Sequence, residues 1–196
     1  MLTKQHRSFN SNKHIFLEFG GPDGEAGAAM RYLSQRYTMP YRECMAVLTD
    51  VATEELAHFE MIAAIVHQLT RNLTPEEIEA SGFGSYYVDH TLALWPQAAG
   101  GIPFNACEFQ SKGDPITDLH EDMAAEQKAR TTYDNILRMV KDPEVCDPIR
   151  FLRQREINHY QRFGEALRIT QDRLNAKNFY AFNPAFDKKE CGCNVE

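Results

Sequence analysis

Two tetrapeptides carry the chemistry of this sequence, Glu55-Leu56-Ala57-His58 and Glu156-Ile157-Asn158-His159. Three residues along an α-helix turn through about 300°, so the carboxylate and the imidazole of each Glu-x-x-His leave one face together. Placed that way they can hold one metal ion. Two such pairs on different helices, with a Glu from each of two further helices, build the dinuclear carboxylate site of helical bundles. Glu25 and Glu126 supply the further carboxylates. Each stands 30 residues before the Glu of its pair, Glu25 before Glu55 and Glu126 before Glu156. Antiparallel helix pairs of equal length produce that equality and set all four elements at one depth.

Charge explains why such a layer needs metal. An unpartnered charge at a bundle seam costs several kcal/mol, on the order of its effective desolvation penalty. Facing carboxylates also repel, so some stay protonated. Two divalent cations neutralise four glutamates. The all-O/N donor set of carboxylate and imidazole suits manganese or iron, leaves coordination positions open for catalysis, and does not choose between the two metals. A single Glu-x-x-His is common on helices; the repetition at seam positions and equal intervals singles these out. His6, His14, His67, His90 and His120 have no partner at ligand spacing and read as ordinary histidines. Glu54, Glu60, Glu121 and Glu165 read as solvated surface charges.

Four long helical patterns position these residues. The first runs from about Asn12 to Tyr37, interrupted or bent near Gly20-Gly21-Pro22. The second starts at Pro40 and runs to about Thr70, with the stripe Leu48, Val51, Glu55, His58, Ile62, Ile65, Leu69. That 3-4-3-4 spacing is a bundle seam with the metal candidates at its centre. The third opens at Asp114-Pro115 and shows Leu119, Asp122, Glu126, Ala129, Tyr133, Ile136, Val140. The fourth opens at Asp147-Pro148 and shows Leu152, Glu156, His159, Phe163, Ala166. An Asp cap followed by proline is a strong start signal. Tight turns near Thr38-Met39 and around Lys141–Glu144 join the first two and the last two helices. About 40 residues separate the second from the third, including a short helix opened by the capping box Thr74-x-x-Glu77. A connection that long can cross the bundle from end to end. The expected fold is all-α: a ferritin-like four-helix bundle with one long crossover between helices 2 and 3. Residues 1–196 are expected to form a single domain, with an extended tail from about 178 to 196.

Bulk properties exclude other classes. A net charge of −7 argues against nucleic acid or an acidic membrane as the main partner. No run of 18 apolar residues exists to span a bilayer. The basic N-terminus lacks the apolar stretch of a signal peptide, so the protein is expected to stay inside the cell that makes it. The cysteines, Cys44, Cys107, Cys146, Cys191 and Cys193, are odd in number and irregular in spacing, which does not look like a disulfide framework. Cys191-Gly192-Cys193 reads as reduced thiols on a mobile tail, with cross-linking or adventitious metal binding as the sharper alternative.

Several stretches together resemble the non-haem manganese catalases. They are Gly20-Gly21-Pro22-Asp23-Gly24-Glu25, Ala28-Ala29-Met30-Arg31-Tyr32-Leu33, Thr53-Glu54-Glu55-Leu56-Ala57-His58, Ala124-Ala125-Glu126-Gln127-Lys128 and Arg153-Gln154-Arg155-Glu156-Ile157-Asn158-His159. The short length, with Ala98–Phe104 and Lys112-Gly113-Asp114-Pro115, is most similar to the spore-coat, CotJC-type branch. The resemblance implies that Glu25, Glu55 and His58 bind one manganese, Glu126 and His159 the other, and Glu55 bridges. Glu156 is then a general base rather than a ligand, a distinction that spacing alone leaves open. Tyr32, two turns after Glu25, matches a tyrosine that hydrogen-bonds beside the first ligand and joins Glu156 in the catalytic machinery. Ala125 stands where some longer family enzymes carry an arginine, which implies wider access and an altered site charge. The chain also lacks the long C-terminal extension that many family members wrap around neighbouring subunits.

The function implied is disproportionation of hydrogen peroxide to oxygen and water by two manganese ions, in a homo-oligomer, the hexamer usual for the family. The expected location is cytoplasm or spore coat, with spore-coat proteins as partners. Two alternatives stand beside it. One is a di-iron peroxidase or ferroxidase of the rubrerythrin type, against which no Cys-x-x-Cys pair supplies an iron–sulfur donor. The other is a structural coat protein with a weakly active site.

Overall fold

A computed structural model describes residues 14–81, 84, 87 and 93–177, with side chains described up to 174. His6, His90 and the tail with Cys191 and Cys193 lie outside the described residues. Helices α1 (Ile15–Gly20) and α2 (Glu25–Gln35) take up the first helical pattern. Helix α3 is Arg42–Thr70, α4 is Pro75–Ser81, α5 is Pro115–Met139 and α6 is Pro143–Lys177. Among the described residues no helix is long and apolar enough to cross a membrane.

The chain breaks rather than bends after Gly20. Gly21 is extended, and a Cβ on Gly24 would meet the carbonyl oxygens of Leu17 and Glu18 at 2.6 and 2.8 Å. That tight turn puts Glu25 at the first position of α2, where the helix dipole favours a carboxylate. Pro40 lies outside α3, whose cap is Tyr41. Asp114 caps α5 as expected, accepting from the Thr117 amide at 2.8 Å. The fourth long helix starts earlier than Asp147-Pro148. The sequence carries two Asp-Pro signals five residues apart, and the first one wins. Asp142 Oδ1 accepts from the Glu144 amide at 3.0 Å and its carbonyl from Cys146 at 2.8 Å. Pro148 therefore sits inside α6, at its sixth residue, where it has no amide hydrogen to give to the ladder.

Side-chain pairings fix the topology. Glu43 with Arg173, Asp50 with Arg162 and Glu54 with Arg155 run α3 antiparallel to α6. Tyr32 with Glu126 and Glu25 with Tyr133 run α2 antiparallel to α5. The turn at Arg36–Thr38 makes α2 and α3 antiparallel, so α3 and α5 are parallel and the segment between them crosses the length of the bundle. The chain is thus a ferritin-like four-helix bundle with one long crossover.

The crossover is tied down at three places. Thr74 and Glu77 form the reciprocal capping box, at 2.8 and 3.2 Å. Residues Pro96–Phe104 fold back on themselves through Ala98 N to Ile102 O and Phe104 N to Pro96 O, with Gly101 at a positive φ of 81°. This turn lies flush on Gly20, where a Cβ would meet Gln97 N at 2.3 Å and Pro96 C at 2.4 Å. Asp118 then clasps the amides of Lys112 and Gly113 at 2.7 and 2.9 Å, leading the chain into α5.

All the expected stripe residues are buried. They divide into two apolar clusters. One gathers Ile15, Phe16 and Phe19 with Ile62, Leu69, Ile136, Ile149 and Leu152. The other gathers Tyr32, Leu48, Val51, Leu119, Phe163 and Ala166. Each fully buried large apolar side chain contributes about 1.5–3 kcal/mol, enough in sum to carry a polar layer between the clusters.

Candidate metal centre

That layer is where both Glu-x-x-His pairs meet. Glu55 stands between the histidines, with Oε2 2.6 Å from His58 Nδ1 and Oε1 2.7 Å from His159 Nδ1. The two imidazoles stack at 5.4 Å, 20° from parallel. Glu25 Oε2 lies 3.7 Å from His58 Nδ1, and Glu126 Oε2 lies 3.4 Å from His159 Nδ1. Glu156 Oε1 is 3.9 Å from His58 Nδ1. Glu25, Glu55, His58, Glu126, Glu156 and His159 are all buried. Donor atoms of Glu55, His58, Glu156 and His159 lie within 4.8 Å of one another. The structure therefore brings together all six residues that spacing singled out.

Their donors fit divalent ions. Glu55 Oε1, Glu126 Oε2, Glu156 Oε1 and His159 Nδ1 are buried without a hydrogen-bond partner. Some approach one another closely enough for ion pairing, but they are turned off the line of a hydrogen bond. A buried polar atom left that way costs about 1–3 kcal/mol, so several converging on one layer call for something to bind. Burial and the charges of Glu25 and Glu126 push Glu55 up to about 7. Burial and the surrounding glutamates push Glu156 well above the carboxylate range. Burial works against charging the histidines, yet Glu25 and Glu55 lift His58 to about 10. Glu126 and Glu55 lift His159 to about 11. Burial would raise Glu25 too, but its contacts with His58 hold it below the usual range. Protons thus do for this cluster what cations would otherwise do.

Two tyrosines brace the outer glutamates. The Tyr32 hydroxyl donates to Glu126 rather than to Glu25, and the Tyr133 hydroxyl donates to Glu25. Seven residues are about 10 Å of helix. On antiparallel helices, a tyrosine seven residues past one glutamate comes level with the glutamate of the other. Tyr133 was legible only as a stripe residue. Its signal was there, since it follows Glu126 at the interval at which Tyr32 follows Glu25.

Glu54 corrects the reading of that residue as a solvated charge. It is 27 % exposed, binds Arg155 through both carboxylate oxygens, and lies beside the outer nitrogens of both histidines. Burial would raise its pKa, but Arg155 and His159 hold it below the usual range. Glu18 of α1 and Asp122 of α5 are also buried polar residues of this region. By contrast Glu60, Glu165, His67 and His120 are exposed, and Glu121 pairs with Lys128 at 3.2 Å.

A narrow cavity of about 10 Å³ reaches the layer between α2 and α5. Asp23, Ala28, Arg31, Ala125 and Ala129 line it above Glu25, Tyr32, Glu126 and Glu156. It has room for about one water-sized molecule. Lys128 pairs with Asp23 at 2.9 Å beside it.

Comparison with known proteins places the chain in a family. The family profile described as manganese containing catalase matches residues 5–193. Protein CotJC of Bacillus subtilis is 48% identical over 168 residues, covering 86% of this chain and 88% of that protein. A probable manganese catalase of Clostridium acetobutylicum is 32% identical over 162 residues, covering 83% and 72%. The crystal structure of KatB, a manganese catalase from Anabaena, superposes with a TM-score of 0.74 at 23% identity, over 97% of this chain and 81% of that one. At that identity the superposition speaks for the fold.

Proposed function

The chain belongs to the manganese-containing catalase family, and we propose that it disproportionates two hydrogen peroxides to one oxygen and two waters. The observation that carries this reading is Glu55, with one carboxylate oxygen at each histidine Nδ1, the placement of a carboxylate bridging two ions. Glu25, Glu55 and His58 would hold one manganese, and Glu126, Glu55 and His159 the other. Manganese held by these residues would supply the two-electron redox chemistry that each half of the reaction needs.

The remaining residues handle position and protons. Glu156 borders the cavity, and its Oε1 has no hydrogen-bond partner. It takes a proton from an incoming peroxide and returns it as the O–O bond breaks. Burial and the neighbouring glutamates raise its pKa, which favours a carboxyl that takes up and holds a proton. Tyr32 and Tyr133 fix Glu126 and Glu25 from opposite sides. The alanines leave the cavity narrow, so only a small molecule could reach Glu156 through it. Ala125 adds no charge there.

Similarity to CotJC supports a spore-coat component as the setting, and membership of the family supports a homo-oligomer. The donor set also accepts iron, which keeps a di-iron peroxidase as the second reading. The test is oxygen evolved per peroxide consumed, with protein loaded separately with manganese and with iron. One oxygen per two peroxides with manganese supports the catalase. Peroxide loss without oxygen, or turnover with iron alone, supports the peroxidase. No consumption with both metals bound defeats both and leaves a structural protein.

A further inference from the structure

Both histidines turn Nδ1 toward the carboxylates of the layer and Nε2 away from it. A neutral imidazole that binds metal through one nitrogen carries its proton on the other, and an acceptor there fixes the tautomer and the ring plane. Both Nε2 atoms are buried, and neither has a hydrogen-bond partner. Among the described residues, the carboxylate within 4.0 Å of each is that of Glu54. Its Oε1 lies 3.6 Å from His58 Nε2, and its Oε2 lies 3.3 Å from His159 Nε2. Shortening the first contact and aligning the second would make both hydrogen bonds.

Glu54 is not free to wander. Arg155 grips it from α6 with Nε on Oε1 and Nη2 on Oε2, the latter at 3.0 Å. A guanidinium that binds a carboxylate in two places fixes its plane as well as its position. Each oxygen of Glu54 therefore faces one histidine and one guanidinium nitrogen. Glu54 and Arg155 are the residues immediately before Glu55 and Glu156, so one ion pair joins the two helices beside the two motifs.

We propose that Glu54, clamped by Arg155, is a positioning residue that accepts Nε2–H from both His58 and His159 and so presents both Nδ1 atoms to the metal pair. The inference rests on the metal site proposed above but not on its reaction. One carboxylate thereby orients the imidazoles of two metal ions at once. Loss of an acceptor of this kind typically weakens metal binding about 10–100-fold.

The experiment is manganese affinity by competition with a chelator, together with manganese per chain at saturation. It uses the full chain and the variants Glu54→Ala, Glu54→Gln and Arg155→Met. Circular dichroism checks folding, and no peroxide is present. Glu54→Ala is expected to bind two ions per chain, each about 10–100-fold more weakly. Glu54→Gln keeps an amide oxygen that can accept from Nε2–H, so it should recover most of the loss. Arg155→Met should fall between wild type and Glu54→Ala. Unchanged affinity in Glu54→Ala would reduce the pair to a surface ion pair and overturn the proposal. One ion at saturation would also overturn it, by making Glu54 a ligand. If Glu54→Ala does not fold, unchanged affinity in Arg155→Met overturns it instead. Affinity is read without turnover, so failure of the catalase reading leaves this comparison intact.

Discussion

The α2–α3 hairpin and the α5–α6 hairpin bring near-copies of one pattern to the centre of the bundle. Glu25, Tyr32, Glu55 and His58 come from the first, and Glu126, Tyr133, Glu156 and His159 from the second, at the same intervals. The outer parts of the pattern stay equivalent, since each tyrosine braces the other hairpin's glutamate. The inner glutamates do not. Glu55 touches both histidines, whereas Glu156 stands 3.9 Å from His58 and borders the cavity. The residues just before them differ in sign, Glu54 against Arg155. Repetition of sequence thus supplies the donors, and departure from it gives the two inner glutamates different surroundings.

The sharpest way to break the comparison is to remove the bridge. Glu55→Ala should abolish binding of both ions, measured as metal per chain, together with the rise in melting temperature that manganese gives. The corresponding change in the other hairpin, Glu156→Gln, should keep two ions per chain and lower kcat about 10²–10⁴-fold, the range expected of a general base. Metal loss from Glu156→Gln would make the two glutamates equivalent after all, as in a di-iron site.

Acidity offers a weaker probe that treats the hairpins alike. His58 and His159 rise to about 10 and 11 in the folded, metal-free protein, against about 6.5 when unfolded. A raised folded pKa gives stability that is complete below pH 6.5 and is lost as pH climbs through the folded values. Manganese needs the neutral imidazoles and displaces their protons. The melting-temperature gain on adding manganese should therefore be larger at pH 9 than at pH 6, and about two protons per chain should leave near pH 8. A gain independent of pH would place metal elsewhere. The smallest effects belong to the tyrosines. Tyr32→Phe and Tyr133→Phe each remove one hydrogen bond to a carboxylate, worth about 1.5–3 kcal/mol. They should weaken manganese binding by similar factors, and a strong inequality would show that the outer ligands are not equivalent.

The stripes of α3, α5 and α6 were legible because apolar residues at 3-4 spacing have one stable use, and a Glu or His among them stands out. The bracing role of Tyr133 escaped because an aromatic in a stripe looks like core. Glu54 escaped for the opposite reason, since a charge next to a stripe looks like solvent-facing surface until a partner on another helix is known. The start of α6 was misplaced at Asp147-Pro148 because Asp142-Pro143 carries the same signal, and it is Asp142 that makes the cap. Nothing local could have paired Gly20 with Pro96 and Gln97, because that contact depends on where a long connection lands.

The parallel course of α3 and α5 bears on how the chain acquires its shape. Each hairpin closes through a short turn and can form from neighbouring residues, while the crossover only tethers the two. Glu25 already faces Glu55 within one hairpin and Glu126 faces Glu156 within the other, and the repulsion between the two pairs is added when the hairpins dock. Cations present during docking should speed it or draw it to completion.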